Sequence, residues 1–251
     1  MTIRDVYHDG VLDAVNEIMD IVERYPIIGV DTEFPGSFHD HMYVAALSSK
    51  LPLSQLSTGY QKFKANVDNL KLIQLGLSFC NERGEFPPVQ AYQFNFQFDV
   101  ANDLNVEKSI ELLRSHNIDF ERFRTDGINP IYFSYLLATS GLLNNPKLVW
   151  VFFHGSYDMG YITKAVTLHD LPLSQSEFIQ LYQNLYPNLV DLKVVLKWES
   201  SLQSLMQSLS VERRGDAHQA GSDAYATVGC YLRVRGQKLD GKGKIYDIDD
   251  V

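Results

Sequence analysis

The sequence predicts an α/β fold in which a mixed sheet carries helices on both faces. Three observations point to it: an early apolar strand ending in acids (IIGVDTEF, residues 27–34), two further extended segments joined by a turn, and then helices alternating with short apolar strands. Strands that come first, followed by such alternation, fit a mixed sheet covered on both sides.

Each element has its own warrant. Val11, Val15, Ile18, Met19 and Val22 recur at spacings of three and four, which predicts an amphipathic helix over 11–23 that Pro26 breaks. IIGVDTEF follows as a strand. Residues 70–80 are apolar and extended, and 92–98 (YQFNFQF) alternate aromatic with polar residues. With the turn NERGEFPP between them they read as an antiparallel pair beside the first strand. Helical spacing returns over 109–116, over 130–139, where proline opens the segment and Gly141 follows it, and over 176–185. Between the last two lies LVWVFF (148–153), a buried strand that runs into HGSYD. Residues 188–195 are read as extended, and 221–235 as the final helix.

With 251 residues, 45% of them hydrophobic, and no repeat, low-complexity block or linker, one domain over 1–251 is expected. The start MTIRDVYHDG lacks a basic-then-apolar leader, and no apolar run approaches the roughly 20 residues of a membrane span. Cys80 and Cys230 show no metal spacing and no disulfide framework, so a soluble protein of a reducing, intracellular compartment is expected. The net charge of −9 argues against a phosphate-rich partner. That inference weakens if the acids gather where divalent cations reverse the local sign.

The acids decide where to look. Residues two apart on a strand share a face, so Asp31 and Glu33 project together while Val30 and Thr32 face away. Two such carboxylates repel by about one to a few kcal/mol and call for a cation, although a solvated strand end would show the same spacing. Asp158 falls in the first turn after LVWVFFHGSY, where an acid can simply stabilise a helix. His218 precedes Asp223 by five residues, about 140° around a helix, so if they act together His218 lies in the loop before it.

D-x-E on a first strand, an acid at a mid-chain strand-to-helix turn and H-x4-D near the end resemble the histidine subgroup of the DEDD 3′ to 5′ exonucleases. IIGVDTEFPG, NVDNLKLIQLGLSF, YQFNFQF, SIELL, FHGSYDMGYITK and HQAGSD, in that order, further resemble the CAF-type deadenylases, nuclease subunits of the NOT deadenylation complex. The resemblance implies a ribonuclease H-like fold and removal of messenger RNA poly(A) tails from the 3′ end. It implies Asp31, Glu33, Asp158 and Asp223 as ligands of two divalent cations, Mg²⁺ or Mn²⁺, and His218 as general base. It implies single-stranded poly(A) RNA, a NOT-complex scaffold and a second deadenylase as partners, and a cytoplasmic and also nuclear location. Phe34 is placed as a substrate contact; His39, His41 and Tyr43 in the loop that follows read rather as ordinary loop residues. The helix from Tyr132 to Leu143 is a docking candidate.

Two departures stand out. Gly155-Ser156 replaces the family's Ser-Gly, which bears on how Asp158 is presented, and Ser201 and Gln203 stand where the family has Gly-Gly. A tail after IYDIDDV is expected to be short or absent. The alternatives to a deadenylase are a 3′ exonuclease without poly(A) preference and a non-catalytic scaffold.

Overall fold

In the computed structural model, residues 2–38 and 59–249 are described. The first strand, β1 (Ile3–Val6), was not apparent in the sequence: four residues, two of them charged, form a strand only because they pair in parallel with β4. A short 3₁₀ turn leads into α1 (Val11–Ile21), followed by β2 (Ile27–Glu33). Then come α2 (Gly59–Asn69), β3 (Gln74–Cys80), β4 (Ala91–Asn95), α3 (Glu107–Ser115), α4 (Phe120–Asp126) and α5 (Pro130–Thr139). The chain continues through β5 (Val149–Phe152), α6 (Ser156–Thr167), α7 (Gln175–Leu185), β6 (Leu189–Asp191), α8 (Leu192–Leu196), α9 (Leu202–Ser208) and α10 (Ala220–Val234).

Six strands form one sheet in the order β1-β4-β3-β2-β5-β6. The β2-β3 and β3-β4 pairs are antiparallel and the rest parallel; the antiparallel β3-β4 pair beside β2 is the one expected from the sequence. Alternation along β2 sorts the core. Ile28 and Val30 join Leu75, Leu77 and Phe79 on one face under α1, α2, α5, α6 and α7. Ile27 joins Cys80, Val151 and Val190 on the other, under α8, α9 and α10. Helices therefore cover both faces, and Asp31 and Glu33, in phase with Ile27, point to the α10 side.

Several boundaries differ from expectation, four of them for a visible local reason. Residues 70–73 are not strand: Leu70 N–H closes the end of α2 on Asn66 and pairing begins at Gln74. The 92–98 segment leaves the sheet after Asn95, because Phe96 turns to an isolated bridge with Ile128. The extended reading of 188–195 holds only to Asp191, whose carboxylate accepts from Lys193 N–H and starts α8. Helix α7 begins at Gln175 through a capping box of Ser174 and Glu177. Helix α2 escaped notice because Lys64 and Asn66 interrupt its apolar positions; both are buried, Lys64 on Asp68 and Asn66 on the Phe38 and Lys62 carbonyls.

Cys80 and Cys230 are free and buried. Among the described residues no helix is long and apolar enough to cross a membrane. His39, His41 and Tyr43 lie outside the described residues.

Candidate active site

The site forms where β2 meets the start of α10. Asp31 faces Gly76 across the β2-β3 ladder. A Cβ at Gly76 would overlap the Ala220 carbonyl and come 2.6 Å from Gly221 N, so the missing side chain lets α10 begin directly on the sheet. Gly29, two residues before Asp31, accommodates Ala224 and Val228 of the same helix. The first turn of α10 has no cap of its own. Sheet glutamines serve instead: Gln74 Oε1 accepts from Ala220 N–H at 3.3 Å and Gln93 Oε1 from Gly221 N–H at 3.0 Å. Their amide groups are in turn held by Asn95, Asp5 and Gln219.

This docking carries Asp223 to the two strand acids. Carboxylate oxygens of Asp31, Glu33 and Asp223 all lie within 4.8 Å of one another, in a half-buried cluster. His218 sits in the turn before α10, where the five-residue spacing puts it if it acts with Asp223, in a left-handed conformation (φ 58°). Its N–H donates to Asp223 Oδ2 at 3.0 Å. Its ring meets the edge of His116, from the end of α3, with centroids 4.6 Å apart. Asp223 Oδ1 accepts from Arg213 Nη1.

Asp158 arrives from the opposite face of the sheet. It occupies the first turn of α6, buried, and accepts from the Thr32 hydroxyl at 2.6 Å. It is thus outside the close three-carboxylate cluster, yet near enough for its charge to act on Asp31 and Glu33. The turn that presents it is pinned by Asp191. That fully buried carboxylate accepts four backbone N–H groups, from His154, Gly155, Lys193 and Tyr246, at 2.9 to 3.1 Å. A Cβ on Gly155 would come 2.7 Å from Phe152 Cβ, so glycine suits this turn and the Gly155-Ser156 order leaves Asp158 in the first helical turn. Ser201, the other departure, caps α9 by accepting from Ser204 N–H.

Electrostatics follow from the crowding. Burial first, then the carboxylates of Asp223, Asp158 and Glu33, hold Asp31 well above the usual carboxylate range, and Arg213 pulls the other way. Burial and the charges of Asp223 and Asp158 do the same to Glu33. Asp158 is pushed up to about 7, chiefly by burial, against the lowering effect of the Thr32 hydroxyl. Burial lowers His218, opposed by Asp223, so the ring is neutral near pH 7. Clustered oxygen donors that resist ionising together suit hard divalent cations. No thiol is among them.

Phe34, next in the chain after Glu33, is half-buried and stacked on Tyr157 and Tyr161 at 4.9 and 5.0 Å, on the α6 side of the sheet. Thr32, Arg213 and His116 escaped the sequence reading; only Arg213, ten residues before Asp223 in a polar run, gave any local signal.

A family model described as CAF1 family ribonuclease matches residues 6–136, just over half of the chain. The chain belongs to the CAF1 ribonuclease family. It is 38% identical to the CCR4-NOT transcription complex subunit 7 of Caenorhabditis elegans over 94% of this chain and 76% of that protein. It is also 38% identical to the poly(A) ribonuclease pop2 of Schizosaccharomyces pombe over 95% and 71%. Among solved structures, the Mg²⁺- and Mn²⁺-bound form of S. pombe Pop2p superposes with a TM-score of 0.88 at 35% identity, covering 98% of this chain and 99% of that one. The ribonuclease H-like arrangement expected from the resemblance is therefore that of a CAF1 nuclease.

Proposed function

We propose that the chain is a 3′ to 5′ exoribonuclease that shortens poly(A) tails, releasing 5′-AMP. The observation that carries this reading is the convergence of Asp31, Glu33 and Asp223 from two elements on one point, within a CAF1-family chain. These three, with Asp158 behind Thr32, are the residues that would hold two divalent cations, Mg²⁺ or Mn²⁺. When bound, such ions neutralise charge building on the scissile phosphate, acidify the attacking water and stabilise the leaving oxygen.

The remaining roles fall to the chain's own groups. His218, neutral and fixed through its backbone to Asp223, takes the proton from the attacking water. His116 limits the swing of its ring. Thr32 and Asp191 hold Asp158 in place from either side. Phe34 borders the position of the terminal nucleotide, where an aromatic face can support a base. Residues 1–251 act as one nuclease domain. By kinship with a CCR4-NOT subunit, a NOT scaffold and a second deadenylase are its partners, and the cytoplasm, with the nucleus, is its place of action.

The test is incubation of the chain with a 5′-labelled RNA ending in adenosines, with Mg²⁺ or Mn²⁺ and with EDTA. A ladder that shortens from the 3′ end, stalls at non-A sequence and disappears with chelator is expected. Equal cleavage of a 2′-deoxy substrate would make it a general 3′ exonuclease, and no cleavage with either metal would leave a scaffold.

A further inference from the structure

We infer that Arg213 is a built-in counter-ion of the acid cluster, which competes with a divalent cation for Asp223 and so sets the metal affinity of the site. The inference rests on the reading of Asp31, Glu33 and Asp223 as cation ligands.

Three observations support it. Asp223 has two oxygens and each already accepts a hydrogen bond, Oδ2 from His218 N–H and Oδ1 from the charged Arg213 Nη1, so a cation at Oδ1 shares that oxygen with a guanidinium. The pair is sheltered, with the Arg213 and Asp223 side chains 20% and 13% exposed, so solvent screens it less than a surface ion pair. The guanidinium is also aimed: Arg213 Nε donates to Gln203 Oε1 at 2.8 Å, which anchors it to α9 rather than to α10 where its carboxylate partner sits.

A guanidinium that merely oriented Asp223 would help a metal bind. One that occupies Oδ1 and supplies positive charge to three crowded acids must be moved aside or lose interaction when a cation arrives. The two roles predict opposite signs.

Titration calorimetry with Mn²⁺ alone, without RNA, separates them, together with thermal unfolding in EDTA. Arg213→Ala is expected to bind Mn²⁺ more tightly, by about fivefold or more, while its metal-free form melts earlier. Arg213→Lys, which keeps the charge but loses the fork, lies between Arg213→Ala and the unmutated chain. Gln203→Ala, which frees the guanidinium from α9, shifts affinity in the same direction by less. Unchanged or weaker Mn²⁺ binding by Arg213→Ala, with the unmutated chain still binding, overturns the inference and leaves the proposed function standing. Failure of the unmutated chain to bind Mn²⁺ overturns both.

Discussion

Thr32 and Asp158 join the two faces of the sheet: the Thr32 hydroxyl donates to Asp158 Oδ1 at 2.6 Å, from a strand whose neighbouring residues Asp31 and Glu33 point the other way. One strand thereby places two acids directly and steers another through its intervening residue. Thr32→Val is expected to leave a buried carboxylate without this donor, costing about 1–3 kcal/mol of stability. Turnover should fall by about tenfold or more as Asp158 loses its aim. Thr32→Ser, which keeps the hydroxyl, should recover most of the rate, and parallel melting and deadenylation assays compare the two.

Crowding of the acids makes stability depend on pH with a definite sign. Asp158 rises from 3.8 to about 7 on folding, and Asp31 and Glu33 rise as well. An acid raised by folding favours the folded state below its ordinary pKa, and that contribution is lost as pH climbs through the raised one. In EDTA the melting temperature should therefore fall between about pH 4 and about pH 7, and the stabilisation by added Mg²⁺ should grow over the same interval. Asp31→Asn should flatten both trends in a pH series of thermal melts.

Gly76 has no side chain where α10 starts. Gly76→Ala forces the Ala220 carbonyl off the sheet. A loss of about 1–3 kcal/mol in denaturant unfolding is expected. Activity measured well below the melting point should drop further than stability alone explains, since Asp223 moves with the helix.

Asp191 meets four backbone donors with four lone-pair sites. Asp191→Asn turns one oxygen into an amide NH₂ facing two of those N–H groups. A loss of about 2–4 kcal/mol follows. Because His154 and Gly155 belong to the turn before Asp158, hydrogen exchange at that turn should rise in the variant, along with a reduced rate.

The proposed ligand acids and the proposed general base should differ in weight. Asp31→Ala or Glu33→Ala should abolish turnover of a poly(A) oligonucleotide at any Mg²⁺ concentration. His218→Ala should leave residual activity, lower by about 10²–10⁴. Near-normal rates from Asp31→Ala with excess Mg²⁺ would refute the assigned roles.

How much of this was legible depends on how local each cause is. Strand β2 was read within one residue because its alternation and apolar run are self-contained, and α5 was read at both ends because Pro130 opens it and Ser140-Gly141 follow it. The placing of His218 in a loop followed from helix geometry once it was taken to act with Asp223. By contrast, β1 exists through β4, and α8 through the Asp191 side chain, so neither shows in its own residues. Among site residues, the acids were visible as a pattern, but Thr32 and Arg213 acquire meaning only from partners 126 and 10 residues away. Which face Asp158 approaches from cannot be read off a spacing.

The glutamine caps on α10 have a consequence for how such a chain can change. Because Gln74 and Gln93 seize the first turn of that helix, Asp223 inherits its coordinates from strand register rather than from the peptide leading into it. Insertions in the connection from α9 would leave the acid where it is and disturb Arg213 and His218 instead. A one-residue slip of β3 or β4 would turn Gln74 or Gln93 to the other face and set the helix adrift.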